Sequence, residues 1–211
     1  MSKIQIEWTV LGSRDELEDV DDDPSSFVYS YEGVAQLKEG GKIIPIGECT
    51  VYYLDIERAN EENCAISDVF DAHSESVCDY YPYIMADSEY IEFSESVETV
   101  LGYGPSYINI AILDQIALQP EFRGNGYGLT ILEAMIARTC EDAGLFALKP
   151  YPLQLRYPPH GEHEIDERWS ELGLSEFRQS RDEATENLQK YYARAGFQVL
   201  PDSPYMILGG E

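Results

Sequence analysis

The chain is poor in positive charge: 14 lysines and arginines stand against 40 aspartates and glutamates in 211 residues, a formal net charge of −26. Such a field repels nucleic-acid phosphates and anionic lipid, so neither is expected as a partner. Long apolar runs are missing as well; none approaches about 18 residues, and the opening Met1-Ser2-Lys3-Ile4-Gln5-Ile6-Glu7 lacks the basic-then-apolar order of a secretory signal. No membrane span is expected, and the cytoplasm is the expected location. Cys49, Cys64, Cys78 and Cys140 form no CxxC pair and sit mostly among apolar neighbours, which reads as four reduced thiols. Histidine is scarce, with three in the chain. His160 and His163, in Pro159-His160-Gly161-Glu162-His163-Glu164, have no helical setting and no matching third cluster, so no metal is expected. Asp71-Ala72-His73-Ser74 brings acid, imidazole and hydroxyl together in sequence, but helix neighbours do not face one another as a triad requires.

What is present suffices for one sizeable core. A length of 211 residues with 44% apolar residues reads as a single domain over 1–211. Ile4-Gln5-Ile6-Glu7-Trp8-Thr9-Val10 alternates as a half-buried strand does. The acidic run Asp15-Glu16-Leu17-Glu18-Asp19-Val20-Asp21-Asp22-Asp23 reads as an exposed loop, since neighbouring like charges resist packing. Gly33-Val34-Ala35-Gln36-Leu37 and Ile43-Ile44-Pro45-Ile46-Gly47 flank a turn with Gly40 and Gly41, which predicts a hairpin. A further extended run follows from 49 to 56. The spacing over 65–100 predicts two helices broken by Pro82, the second spanning Glu89 to Val100. Residues 107–118 are nearly all apolar, as expected of a strand covered on both faces at the centre of a sheet.

From Leu129 the apolar positions Leu129, Leu132, Ile136 and Cys140 draw one helical stripe, with the helix ending at Gly144. Leu145-Phe146-Ala147-Leu148 reads as a short buried strand. Four prolines, at 150, 152, 158 and 159, mark residues 150–174 as an irregular excursion. A long helix from Glu176 to Ala195 follows, and two last strands flank Pro201-Asp202-Ser203-Pro204. The fold class is therefore α/β in the broad sense (α+β), with no internal repeat.

Gln119-Pro120-Glu121-Phe122-Arg123-Gly124-Asn125-Gly126-Tyr127-Gly128 lies between the buried strand and the amphipathic helix. Its three glycines let the backbone turn without Cβ clashes, so successive N–H groups can converge at the positive end of the helix. That arrangement is a pyrophosphate cradle. Dinucleotide-binding folds also place glycines between strand and helix. Here the turn lies in the second half of the chain, an arginine precedes the glycines, and no Walker lysine follows Gly128. A tight turn with close helix packing and no ligand is the plain alternative.

Arg123-Gly124-Asn125-Gly126-Tyr127-Gly128 resembles the (Gln/Arg)-x-x-Gly-x-(Gly/Ala) signature of the Gcn5-related N-acetyltransferases. Downstream, Tyr191-Tyr192-Ala193-Arg194-Ala195-Gly196-Phe197 is similar to that family's Tyr-x-x-x-Gly-Phe helix ending. The two motifs together cover residues 107–208. The resemblance implies a mixed, mostly antiparallel sheet flanked by helices and splayed at the motif strand, acetyl-CoA as co-substrate, and an amine acceptor. It implies that the pantetheine arm pairs with backbone of Ile116, Ala117 and Leu118, and that the amides of Arg123, Gly124, Asn125, Gly126, Tyr127 and Gly128 hold the pyrophosphate. The first half departs from the family pattern, because its clear helical stretch precedes the motif strand.

The chemistry needs a proton acceptor, since an alkylamine of pKa ~10.4 is charged at neutral pH and has no lone pair to attack a thioester. Asp114, the sole carboxylate in the apolar run, is the candidate base, against the plain reading of an acid bonded to backbone. For the departing thiolate the resemblance assigns Tyr192 as proton donor, with Tyr191 its rival by register and plain packing the alternative. Lys149-Pro150-Tyr151-Pro152-Leu153-Gln154 is expected to wall the acceptor site. The expected function is acyl transfer from acetyl-CoA to a primary amine, carried by a small molecule or a protein, and the acidic field suits a cationic acceptor. A solvated acidic surface is the simpler account of that charge. The rival functions are a catalytically silent acyl-CoA-binding module and an acidic interaction protein; a homodimer is compatible with each.

Overall fold

In the computed structural model the described residues are 3–11, 23–139, 141–155, 172–174 and 179–210. The acidic run over 15–22 and the histidines His160 and His163 lie outside them.

The first three strands form an antiparallel meander. β1 (Lys3–Leu11) pairs with β2 (Val28–Glu39), which pairs with β3 (Lys42–Leu54). Gly40 and Gly41 turn the hairpin at φ of 57° and 80°, angles open to glycine because it has no Cβ. The two extended runs expected over 43–47 and 49–56 are in fact one strand. Ala35 pairs with Gly47 and Gln36 with Pro45, so Ile46 is the extra residue of a bulge that accommodates a proline without an N–H.

Four further strands complete the sheet: β4 (Asn109–Leu118), β5 (Ala143–Leu148), β6 (Gln198–Val199) and β7 (Met206–Gly209). Seven strands lie in the order β1-β2-β3-β4-β5-β7-β6, with β4 central as its composition predicted. Among the described residues only β4 and β5 are parallel, and parallel neighbours need a crossover, which α6 (Tyr127–Thr139) supplies.

Each face of the sheet carries a core layer. On one face, five short helices pack on Ile110, Ile112, Leu145 and Ala147: α1 (Ile56–Glu61), α2 (Ile66–Asp71), α3 (Glu75–Cys78), α4 (Tyr81–Ile84) and α5 (Glu95–Leu101). The two longer helices expected here do not form. Pro82 sits in the first turn of α4, where its missing N–H needs no partner, so it opens a helix instead of breaking one. The second helix starts only after Ser94 caps Val97, because Met85 and Phe93 are held by a β-bridge.

α6 covers the other face, with Gly128, Ile131, Leu132, Met135 and Thr139 buried against Ala111, Leu113 and Phe146. The buried stripe runs one residue off the expected one; Leu129 and Ile136 flank it, half-buried. Gly144 is no helix end either. It belongs to β5, where a Cβ would collide with the backbone of Tyr107. The last helix, α7 (Arg181–Ala193), begins later than expected because Ser180 and Glu183 form a capping box. Among the described residues no helix is long and apolar enough to cross a membrane.

Backbone approaching Gly144 so closely leaves no room for relaxation. Gly144→Ala is expected to destabilise the fold by about 1–3 kcal/mol, measured as a lower urea midpoint at unchanged m-value.

Candidate functional site

The pairing of β4 with β5 stops at Ile112↔Ala147, while β4 continues to Leu118 beside β3 alone. A notch therefore opens between the two strands. Within the overhang Val51 pairs with Leu113 and Thr50 with Gln115, which makes Asp114 the extra residue of a bulge. The bulge resets the alternation, so Leu113, Ile116 and Leu118 all belong to the layer packed by α6.

At the end of the overhang lies a cavity of about 590 Å³. Its lining includes the sequence-predicted Ile116, Ala117, Leu118, Arg123, Gly124, Gly126, Tyr127, Gly128 and Tyr192. Residues separated by more than sixty positions in the chain are thus brought to one space. Asn125 and Asp114 are outside the lining. The Asn125 amide donates to the carbonyls of Phe122 (3.4 Å) and Arg123 (3.2 Å), which makes it a brace of the turn. Asp114 is half-buried, and its charge reaches Tyr80 in the opposite, helix-covered layer.

The three glycines serve two purposes. Gly124 and Gly126 have φ of 78° and 82°, and a Cβ on either would meet nothing; the backbone angle alone selects glycine. A Cβ on Gly128 would instead strike the Tyr191 hydroxyl, which rests on the first turn of α6. Arg123 holds the turn to the strand: its Nε and Nη2 donate to the Leu118 carbonyl at 3.0 and 2.8 Å, and Nη2 also donates to the Leu172 carbonyl.

Helix α7 closes the cavity with Ala184, Asn187, Leu188, Tyr191 and Tyr192, joined by its C-cap residue Arg194, a helical face at three- and four-residue spacing. Tyr191 and Tyr192 meet edge to face, ring centres 5.5 Å apart. Both line the cavity, but Tyr191 contacts the glycine turn while Tyr192 packs toward Phe197, with ring centres 6.4 Å apart. Burial, aided by Tyr191, pushes the Tyr192 phenol up to about 12. Burial also raises Tyr191, against a downward pull from Arg194. Tyr191, Asn187 and Arg194 were recoverable from the spacing along α7, but Tyr192 alone stood at the motif position.

Charge sets this cavity apart from the rest of the molecule. Arg123 and Arg194 are in the described lining and no carboxylate is, in a chain with 40 acidic side chains. The α6 amide terminus adds further positive potential. Tyr151, Pro152, Leu153 and Gln154, from the segment expected to wall the acceptor site, also line it.

The other candidates do not assemble. His73 packs edge-on against Tyr52 at 4.3 Å, and the Ser74 hydroxyl meets Ser76 and caps Val77. Among the described residues no group of three or more His, Cys, Asp or Glu could hold a metal ion. No protein-family model, curated protein or solved structure matches the chain.

Two outcomes follow from this geometry. Gly128→Ala should displace the Tyr191 ring and weaken binding at the cavity, and adding Tyr191→Phe should restore part of the loss; ligand titration of the single and double variants reads both. The Tyr192 phenol ionises near 10 unfolded and about 12 folded, so its protonated form is the one the fold favours. Its contribution is full below about pH 10 and lost as pH rises toward 12, seen as falling denaturation midpoints in that window.

Proposed function

We propose that this protein is an N-acyltransferase that moves an acetyl group from acetyl-CoA to a primary amine, on a fold resembling that of the Gcn5-related N-acetyltransferases. The observation that carries the reading is the cavity itself. It joins the overhang of a central strand, a glycine turn and a helix N-terminus, and its described lining excludes carboxylates in a strongly acidic chain. An elongated anionic ligand with a diphosphate and an amide-bearing arm suits those walls. The diphosphate meets the amides of residues 123–128. The arm runs along Ile116 to Leu118, whose edge toward β5 is unpaired by any strand, and main-chain pairing there parallels strand addition.

In the reaction the amine nitrogen attacks the thioester carbonyl, the C–S bond breaks, and the thiolate takes a proton. Tyr192 is suited to give that proton, since its phenol stays protonated up to about pH 12. Asp114 takes the proton lost by the amine, directly or through water. The acceptor is a small-molecule or protein amine, and the surplus of negative charge favours a cationic one.

A second reading, a catalytically silent acyl-CoA binder, draws on Asp114 standing outside the cavity lining. Calorimetry with coenzyme A and thiol release from acetyl-CoA over a panel of primary amines separate the readings. Heat and thiol release are expected for the enzyme, heat alone for the binder, and neither for an acidic interaction protein. Tyr192→Phe should lower turnover by about 10²-fold or more, with coenzyme A affinity nearly unchanged; equal turnover would remove Tyr192 from the mechanism.

A further inference from the structure

The two arginines of the described lining are held in different ways. Arg123 is committed to the protein itself: Nε and Nη2 donate to the Leu118 carbonyl at 3.0 and 2.8 Å, and Nη2 donates again to the Leu172 carbonyl. The Nε–Nη2 edge of a guanidinium is one of those that grips a phosphate with two parallel bonds. On Arg123 that edge is taken by the strand.

Arg194 is held differently. It is the C-cap residue of α7, exposed and still part of the cavity lining. Among the described residues its guanidinium has no carboxylate partner, and its contact is with the Tyr191 ring, 6.0 Å from Cζ to the ring centre. Side chains on a helix lean toward its N-terminus, which brings Arg194 back over Tyr191, one turn earlier. The Tyr191 hydroxyl rests where a Cβ on Gly128 would stand, so one phenol ring separates the guanidinium from the last glycine of the turn. Burial raises the ionisation of that phenol and the Arg194 charge pulls it down, as a cation close to the hydroxyl does. The plain role of a cation at this position is to complement the helix end, which does not require a place in the lining.

We propose that Arg194 is the arginine whose side chain contacts the ligand, closing on the diphosphate at the glycine turn, with Tyr191 a positioning residue whose ring supports the guanidinium; the inference rests on the acyl-CoA reading above. Arg123 then shapes the turn through its side chain and leaves the charge to Arg194. Main-chain amides offer donors without a net charge, whereas the diphosphate of coenzyme A is doubly anionic. An exposed guanidinium with no carboxylate to hold it can swing onto that group and supply the charge the amides lack.

The test is calorimetry of the full chain with coenzyme A, dephospho-coenzyme A and pantetheine, the last read by competition against coenzyme A. Arg194→Gln should weaken coenzyme A and dephospho-coenzyme A alike, by about 10-fold or more, as loss of one charge-assisted contact does. Pantetheine, which lacks the diphosphate, should bind nearly as before. Arg194→Lys should recover part of the loss, because the charge returns without the fork. Tyr191→Leu should weaken coenzyme A in the parent chain and add little in the Arg194→Gln background; additive losses would remove Tyr191 from the positioning role. Coenzyme A weakened with dephospho-coenzyme A untouched would move Arg194 to the terminal phosphate of the nucleotide, and an equal loss of pantetheine would make it a packing residue. Either result overturns the inference, as does unchanged binding of all three probes, and each leaves the acyl-CoA reading standing. Absence of binding heat with coenzyme A in the folded parent chain overturns both.

Discussion

Beyond the Ile112–Ala147 pair, β4 keeps one hydrogen-bonding edge and loses the other. Backbone N–H and C=O groups near the middle of a sheet are costly to leave without partners, so this edge must be satisfied by something other than β5. The molecule answers part of that demand itself, since Arg123 folds back to donate twice to the Leu118 carbonyl. The remaining stretch faces a cavity. A ligand with its own amides would complete the strand, which is why the proposed donor and the divergence of the strands are aspects of one constraint.

The rest of the site depends on that divergence. The bulge at Asp114 shifts the alternation, leaving Ile116 and Leu118 toward α6 while the Asp114 charge acts in the layer of Tyr80. The sheet thus separates a side built by the glycine turn and α7, where the proposed donor would lie, from a side built by the short helices. The proposed transfer between two substrates would draw on two such environments on opposite faces of one gap.

Local signals were readable in the sequence, and long-range ones were not. The apolar run over 107–118 and the glycines at 124, 126 and 128 announced a central strand and a tight turn, because composition alone dictates both. The hairpin at Gly40 and Gly41 was equally plain. The helices between β3 and β4 were not, since their length is set by caps at Ser74 and Ser94 and by the Met85–Phe93 bridge. Apolar spacing cannot convey those breaks. Nor could spacing show that Gly128 is glycine because of Tyr191, or that Tyr80, Asp79, Lys149 and Tyr205 meet. Such contacts exist only once segments distant in the chain have folded against one another.

The distribution of charge completes the physical picture. A chain at −26 lowers the local concentration of anions around it, which by itself opposes capture of a phosphorylated ligand. The cavity counters this through Arg123, Arg194, the α6 amides and the exclusion of carboxylates from its described lining. Screening confines surface charge to about 8–10 Å at physiological salt, so a local arrangement of this kind can reverse the sign felt inside while the outer surface still attracts cations. An anionic donor and a cationic acceptor can then be drawn to one molecule without competing for the same field. The acidic surface and the carboxylate-free described lining of the cavity are in this sense complementary, each suited by charge to one of the two substrates of the proposed transfer.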